Sequence, residues 1–366
     1  MIPYRWLWPF LRRLPAETAH HLSHLGLALP VAWGGPRVAD PFTWRGLKFP
    51  NRIGIAAGYD KDAACVPGLM RLGAGFVEVG TILTEPWTGN PAPRLGRIID
   101  QRAVWNRLGF PSRGVDEAVR NLAAFAPKNR AGMLVACNIG PHSGKLKNYP
   151  VPETAIPFVR DELRTLVARL HPYADFFVVN LSSPNTPGLR GLLVRPEAPR
   201  ELAVPTCALL RELDAKAGRA QPTPLLWKLP PEDPDRVPWN EARLAAFLGP
   251  FLESGACDGV VAVNTSTALS LALGAPAATP DSPGGISGAP LLDRALATVA
   301  MARRLLGPDR LLIGCGGVVE PKDATAHLGA GADVVEVYSG LIYSGPKLIS
   351  ECAKAMAAAP ARGDGS

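Results

Sequence analysis

Short apolar runs alternate along most of the chain with longer stretches in which apolar residues recur every three or four positions. The short runs fall at residues 52–58, 75–81, 133–140, 176–182, 224–230, 259–265, 311–317 and 334–340. Their apolar character is nearly unbroken, which predicts strands covered on both faces rather than strands with one wet side. Between them the helical spacing covers 115–126, 153–170, 198–217, 241–255 and 291–306, with a shorter stretch at 322–329. Eight buried strands separated by helices predict a closed parallel (β/α)8 TIM barrel, because right-handed crossovers repeat in one direction. An open doubly wound sheet usually has fewer strands and a Gly-x-Gly-x-x-Gly turn after the first, which is absent here.

Residues 1–40 lie outside this rhythm. Apolar spacing predicts a helix at 15–29, ended by the Gly-Gly-Pro break at 34–36. The expected organisation is a small N-terminal helical extension over 1–40 and a barrel over 41–366, with a frayed tail at 357–366. Tyr4, Trp6, Trp8 and Phe10 beside Arg5, Arg12 and Arg13 suit a membrane interface. The extension therefore reads either as a packing cap or as a membrane-facing module. No apolar run is long enough to span a bilayer, and the start lacks the order of a secretory signal.

Composition narrows the partners. A net charge of +7, from 39 basic and 32 acidic side chains, suits anionic ligands or an anionic membrane surface. No long Lys/Arg stripe accompanies it, which argues against nucleic acid. The six cysteines include no Cys-x-x-Cys pair and several sit in apolar runs, so they read as buried thiols rather than a disulfide frame or a metal site.

Polar residues and glycines gather where the runs end: Asp60 and Lys61, Thr81, Asn138, Asn180, Lys228, Asn264 and Thr265, Gly316 and Gly317, Tyr338 and Ser339. Glycines there are explained by turns alone. Lysines and asparagines at a buried barrel mouth need partners. The ends of the seventh and eighth runs, each before a helix start, suit a phosphate. Lys228 lies inside the fifth run, where it could stabilise negative charge, form a Schiff base or sit in a structural ion pair. Asparagines at neighbouring strand ends suit a planar heterocycle with amide edges. The loop Asn180-Leu-Ser-Ser-Pro-Asn-Thr-Pro-Gly-Leu-Arg190 is rigid in composition. Composition alone leaves Ser183 a turn residue, since a plain hydroxyl is a poor base outside a dry site with a proton path.

Several motifs occur together and in order: Ala56-Ala-Gly-Tyr-Asp-Lys61, Asn106-Arg-Leu-Gly-Phe110, Asn138-Ile-Gly140 and the 180–190 loop. Asn264-Thr265, Gly284-Gly-Ile-Ser-Gly-Ala-Pro290, Gly316-Gly317 and Tyr338-Ser-Gly340 follow. With these the chain resembles the class 2, quinone-linked dihydroorotate dehydrogenases over about residues 45–350, and more loosely over the N-terminal helices. The resemblance implies an FMN site at Ala57, Gly58, Thr81, Asn138, Asn180, Lys228, Gly288, Gly317, Tyr338 and Ser339. It implies dihydroorotate contacts at Lys61, Asn106, Asn180, Asn185, Asn264 and Thr265. Ser183 falls at the catalytic-base position, with Phe110 and Thr186 flanking it. His20 and Arg97 match positions along a path for a membrane quinone. The implied setting is peripheral, on the cytoplasmic side of a bacterial inner membrane, in de novo pyrimidine synthesis.

Two departures stand out. Val263 replaces a common threonine before the sixth-strand asparagine, which removes a hydroxyl from one flavin contact. Tyr59 replaces a usual Leu or Phe and is expected to be without consequence. The soluble class 1 enzymes resemble the chain less, since they use cysteine where Ser183 stands and lack the extension. A 2-hydroxy-acid oxidase would want a histidine at a strand end, where none of the six lies. A phosphate-binding isomerase or lyase using Lys228, and a catalytically dead membrane-binding protein, are the readings from other classes.

Overall fold

The computed structural model describes residues 4–29, 33–125, 129–149, 151–186, 189–193, 195, 197–275 and 283–359. Ala126, Pro187 and Gly188 therefore lie outside the described residues, as do the first three residues and positions 360–366 of the tail.

Eight parallel strands close into a barrel: β1 (Ile53–Ile55), β2 (Phe76–Ile82), β3 (Leu134–Ile139), β4 (Phe176–Val179), β5 (Leu225–Leu229), β6 (Gly259–Ala262), β7 (Leu311–Cys315) and β8 (Val334–Val337). Each pairs with the next, and β8 pairs with β1. All eight expected strands are present, and all but β2 are shorter than their apolar runs because the polar ends turn away into loops. The helices follow the expected stretches, for example Pro152–Leu170, Glu241–Glu253 and Pro321–Ala330.

The period-2 alternation of strand side chains divides the apolar residues into two cores. Val77, Val135, Phe177, Leu225, Trp227, Val260, Leu312 and Val335 face outward and pack with the helices. Phe76, Phe176, Leu226, Val261, Ile313 and Val334 face inward. An antiparallel hairpin, Phe42–Trp44 with Leu47–Phe49, plugs the lower end. Phe49 meets Phe76 edge to face at 5.4 Å between ring centroids. Above this apolar layer the same inward face carries Glu78, Lys228 and Glu336, so the barrel floor is apolar and its upper half ionic.

A second unexpected element stands beside the mouth. Leu95–Ile98, Ala103–Asn106 and Gly285–Gly288 form an antiparallel three-stranded sheet with 103–106 in the centre. Ala103, Trp105 and Ile286 pack on its closed side. The alternate residues Val104 and Asn106 look into the mouth.

The N-terminal extension folds as two helices, Tyr4–Leu11 and Ala16–Ala28. It is pinned to the barrel by polar contacts: Arg94 pairs with Glu17 at 2.7 Å, Tyr4 donates to the Ile342 carbonyl at 2.6 Å, and Arg97 donates to the Leu11 carbonyl at 3.0 Å. Tyr59 contributes in a way its motif did not suggest. Its hydroxyl donates to Ser23 Oγ at 3.0 Å and its ring meets those of His20, His24 and Tyr338, so the substitution of phenol for an apolar side chain adds a tie that Leu or Phe cannot make. Trp6, Phe10, Leu25 and Leu29 remain exposed, as does Leu22 at the rim of the cavity under the helices. No helix among the described residues is long and apolar enough to cross a membrane.

Candidate active site

A cavity of about 1080 Å³ opens at the C-terminal ends of the strands. Its wall includes Ala57, Gly58, Lys61, Thr81, Asn106, Phe110, Asn180, Ser183, Asn185, Lys228, Asn264, Thr265, Gly288, Gly317, Tyr338 and Ser339. Sixteen positions named from sequence thus come together from all round the barrel. Asn138 does not reach the wall. It is fully buried behind Thr81, accepting the Thr81 hydroxyl at 2.6 Å and donating to Glu78, so it acts on the cavity through those two.

One side of the cavity is a connected set of amides. Asn180 donates to Thr81 Oγ1 at 3.1 Å and accepts from Ser182 at 3.1 Å and from Asn264 at 3.2 Å. Asn264 also donates to Ser182 Oγ at 2.9 Å, and its Oδ1 accepts the Thr265 amide at 2.7 Å. These bonds fix the amide planes before any ligand arrives. Val263, the departure beside Asn264, is buried, and its backbone N–H donates to the Cys315 carbonyl at 2.6 Å. The strand end is therefore held by main chain where a threonine hydroxyl is missing.

Lys61 projects into the cavity from the turn after β1. Its ammonium donates to the Gly58 carbonyl at 2.8 Å. Burial draws its pKa down to about 8, opposed by the carboxylates of Asp62 and Asp60. The turn is shaped by Asp60, which accepts the amides of Ala64 and Cys65 at 2.8 and 2.7 Å. Lys61 is thus a cation already partly desolvated, with one donor committed and others open to an anion.

The loop after β4 places Ser183 in the wall, buried, with its Oγ accepting the Asn185 amide at 3.2 Å. Thr186 is buried nearby and its hydroxyl has no hydrogen-bond partner among the described residues. No direct bond joins it to Ser183 there. Phe110 lies against the cavity with φ at +56°, held in the left-handed region.

The opposite side is backbone. Gly288 and Gly317 adopt φ of +93° and +82°, and a side chain at either would strike main chain, the Arg102 carbonyl in one case and Leu292 in the other. Main chain alone fits here, at the last residue of the side sheet's Gly285–Gly288 strand and just past the end of β7, and backbone of this kind suits a phosphate. Lys228 closes the floor. It donates to both oxygens of Glu78, at 3.2 and 3.1 Å, and lies 3.7 Å from Glu336. Burial alone would lower its pKa, but its acidic neighbours, Glu78 foremost, outweigh it and hold the ammonium above its ordinary range. Neither glutamate stands at a strand end; both lie one layer deeper, inside apolar runs that give no local sign of an ionic site.

His20 and Arg97 are not in this cavity. They line a second, largely apolar one of about 1200 Å³ between the N-terminal helices and the barrel, with Tyr4, Leu7, Leu11, Leu27 and Leu341. Burial, reinforced by the positive charge of Lys61, keeps His20 neutral by lowering its pKa. Leu95, Val104 and Tyr338 belong to the walls of both cavities.

Fold and site together define a (β/α)8 barrel with a polar pocket at its mouth and a separate, largely apolar chamber beside it. A family model described as dihydroorotate dehydrogenase matches residues 42–359, and the chain belongs to that family. It is 38% identical to the dihydroorotate dehydrogenase (quinone) of Leptothrix cholodnii, covering 97% of this chain and 99% of that one. It is likewise 38% identical to the enzyme of that name from Delftia acidovorans, over 98% and 99%. Among solved structures it resembles Eimeria tenella DHODH in complex with ferulenol, at 28% identity and a TM-score of 0.78, over 93% of this chain and 90% of that one. The chain is accordingly an oxidoreductase, and the isomerase and binding-protein readings fall away.

Proposed function

We propose that this chain oxidises dihydroorotate to orotate, in pyrimidine biosynthesis, with FMN as its bound cofactor and a membrane quinone as the final acceptor. The observation that carries the reading is one cavity holding a desolvated cation, a pre-bonded set of amides and a buried serine on one side, and a lysine over a carboxylate with glycine backbone on the other. A bound FMN supplies the acceptor for the hydride leaving C6 of dihydroorotate and the donor that reduces the quinone.

Ala57, Gly58, Thr81, Asn180, Lys228 and Tyr338 suit the flavin ring system, and Gly288, Gly317 and Ser339 its phosphate; Asn138 supports them from behind. Lys61 pairs with the substrate carboxylate. Asn106, Asn180, Asn185, Asn264 and Thr265 satisfy the amide edges of its ring. Ser183 takes the proton from C5, and Thr186 is the candidate to carry it onward. Phe110 covers the reacting centre and excludes water. Lys228 offsets the negative charge that builds up at the floor of the cavity.

Residues 1–40 form the quinone-access module on this reading, and 41–366 the catalytic barrel. His20 and Arg97 lie on the quinone path. The exposed Trp6, Phe10, Leu25 and Leu29 support a peripheral seat in a lipid interface, on this reading the cytoplasmic side of a bacterial inner membrane. The test is an absorbance spectrum before and after dihydroorotate is added. A flavin spectrum that bleaches with substrate and recovers with a ubiquinone analogue is expected. A colourless protein ends the proposal.

A further inference from the structure

Two carboxyl groups and one ammonium are sealed inside the barrel below the cavity. Glu78, Lys228 and Glu336 point inward from β2, β5 and β8 and are 0%, 6% and 1% exposed. Their partnering is unequal. Glu78 accepts from Lys228 through both oxygens and from the Asn138 amide. Glu336 is 3.7 Å from the ammonium, and neither of its oxygens has a hydrogen-bond partner among the described residues.

The remaining neighbours of Glu336 are no better suited to an anion. On β7 the residue in register with it is Cys315. Burial pushes that thiol up, so it stays neutral. From β2 it faces the Glu78 carboxylate. The layer beneath is Phe76, Leu226 and Val334. With both glutamates ionised the trio would carry a net negative charge in this apolar shell, with only the weak Cys315 thiol donor and an ammonium 3.7 Å away to offset the second carboxylate. A buried group in that position takes up a proton instead, as neighbouring carboxyls do when they cannot both ionise.

We infer that Glu78 and Glu336 hold one proton between them, seated on Glu336, so that Lys228 is balanced by a single negative charge. Glu336 is then a positioning residue for the redox chemistry, a role that rests on the flavin reading above. It acts through Lys228: as a neutral acid it leaves the trio uncharged overall, whereas as an anion it would oppose the arrival of electrons in the cavity above. Burial first, then the Glu78 carboxylate, raise its pKa well above the ordinary range against the weaker pull of Lys228. Further negative charge arriving above tightens its hold on the proton, so the proton stays in place through the catalytic cycle.

Infrared spectroscopy of the holoprotein at about pH 8 tests this. Asp60, whose pKa burial raises to about 6, is ionised there and does not contribute. The wild-type protein is expected to show a buried protonated-carboxyl stretch that shifts in D2O, which separates it from flavin carbonyls. Glu336→Gln should abolish it. Glu78→Gln should abolish it too, because Glu336 then ionises opposite Lys228. Absence of the band in the wild type, or its survival in Glu336→Gln, overturns the inference, and the wild-type result decides if a variant does not fold. Visible absorbance of the same sample keeps the two readings apart. A yellow protein without the band defeats the shared proton alone, and a colourless protein with it defeats the flavin reading alone.

Discussion

The side chains of Asn106 and Asn185 meet amide to amide at 3.0 Å, joining the antiparallel sheet beside the barrel to the loop after β4. Asn185 keeps Oδ1 buried without a partner among the described residues, an acceptor directed to whatever fills the cavity. Asn185→Ala removes that acceptor and leaves Asn106 half-satisfied. A loss of about 1–3 kcal/mol is expected, a rise in KM for dihydroorotate of roughly 5- to 150-fold with flavin content unchanged. Steady-state kinetics at saturating quinone analogue would show it, and an unaltered KM removes Asn185 from the substrate contacts.

Ser183→Ala should keep the flavin and lose its reduction by substrate. General-base removal typically lowers the rate by about 100- to 10,000-fold. Stopped-flow bleaching of the flavin band is the measurement. Reduction at the wild-type rate would dismiss Ser183 as the base.

Lys61 gives the site a pH limit. Burial holds its pKa at about 8, below the 10.5 of an ordinary lysine, so an ammonium able to bind a carboxylate is lost as pH rises through about 8. Affinity for orotate should be level below that point and weaken above it, approaching tenfold per pH unit. Lys61→Arg, which stays charged, should flatten the curve. Spectral titration with orotate between about pH 6.5 and 9.5 distinguishes the two, and a level wild-type curve rules out Lys61 as the anchor.

The outer side of the N-terminal helices carries Trp6, Phe10 and Leu25, each more than 60% exposed. Burial of one such side chain stabilises by about 1.5–3 kcal/mol. The triple substitution to serine should therefore weaken binding to anionic vesicles by at least about 100-fold while flavin reduction by dihydroorotate persists. Cosedimentation reads the first and bleaching the second; unchanged vesicle binding would make the extension a packing cap.

The barrel was legible because strands buried on both faces leave unbroken apolar runs, and the strand ends carried polar types that turns do not require. The three-stranded sheet was not. Its third strand, Gly285–Gly288, is half glycine, and its pairing partners lie about 180 residues away in the chain, so nothing local marks it. Glu78 was hidden for a similar reason. One acid inside Phe-Val-Glu-Val looks like a tolerated exception until the closure of the barrel brings Lys228 and Glu336 to it. Ser183 shows the opposite case: its surroundings were readable as a rigid loop, but its role came from resemblance and not from any property of a serine. Tyr59, expected to be inert, proved to tie the extension to the mouth, because its hydroxyl partner Ser23 belongs to a segment whose docking the chain order does not reveal.

Leu95, Val104 and Tyr338 form a partition common to both chambers, one side facing the polar pocket and the other the apolar one. On the proposed function, dihydroorotate and the quinone sit on opposite sides of these shared side chains and only electrons pass between them. The two reactants therefore need never be present together, and neither has to leave for the other to enter. That proposal makes turnover an alternation between a charged and a discharged protein, in which a compound lodged on the lipid side would not compete with the pyrimidine. It would trap the enzyme in its charged form, with the soluble half of the chemistry intact but stalled.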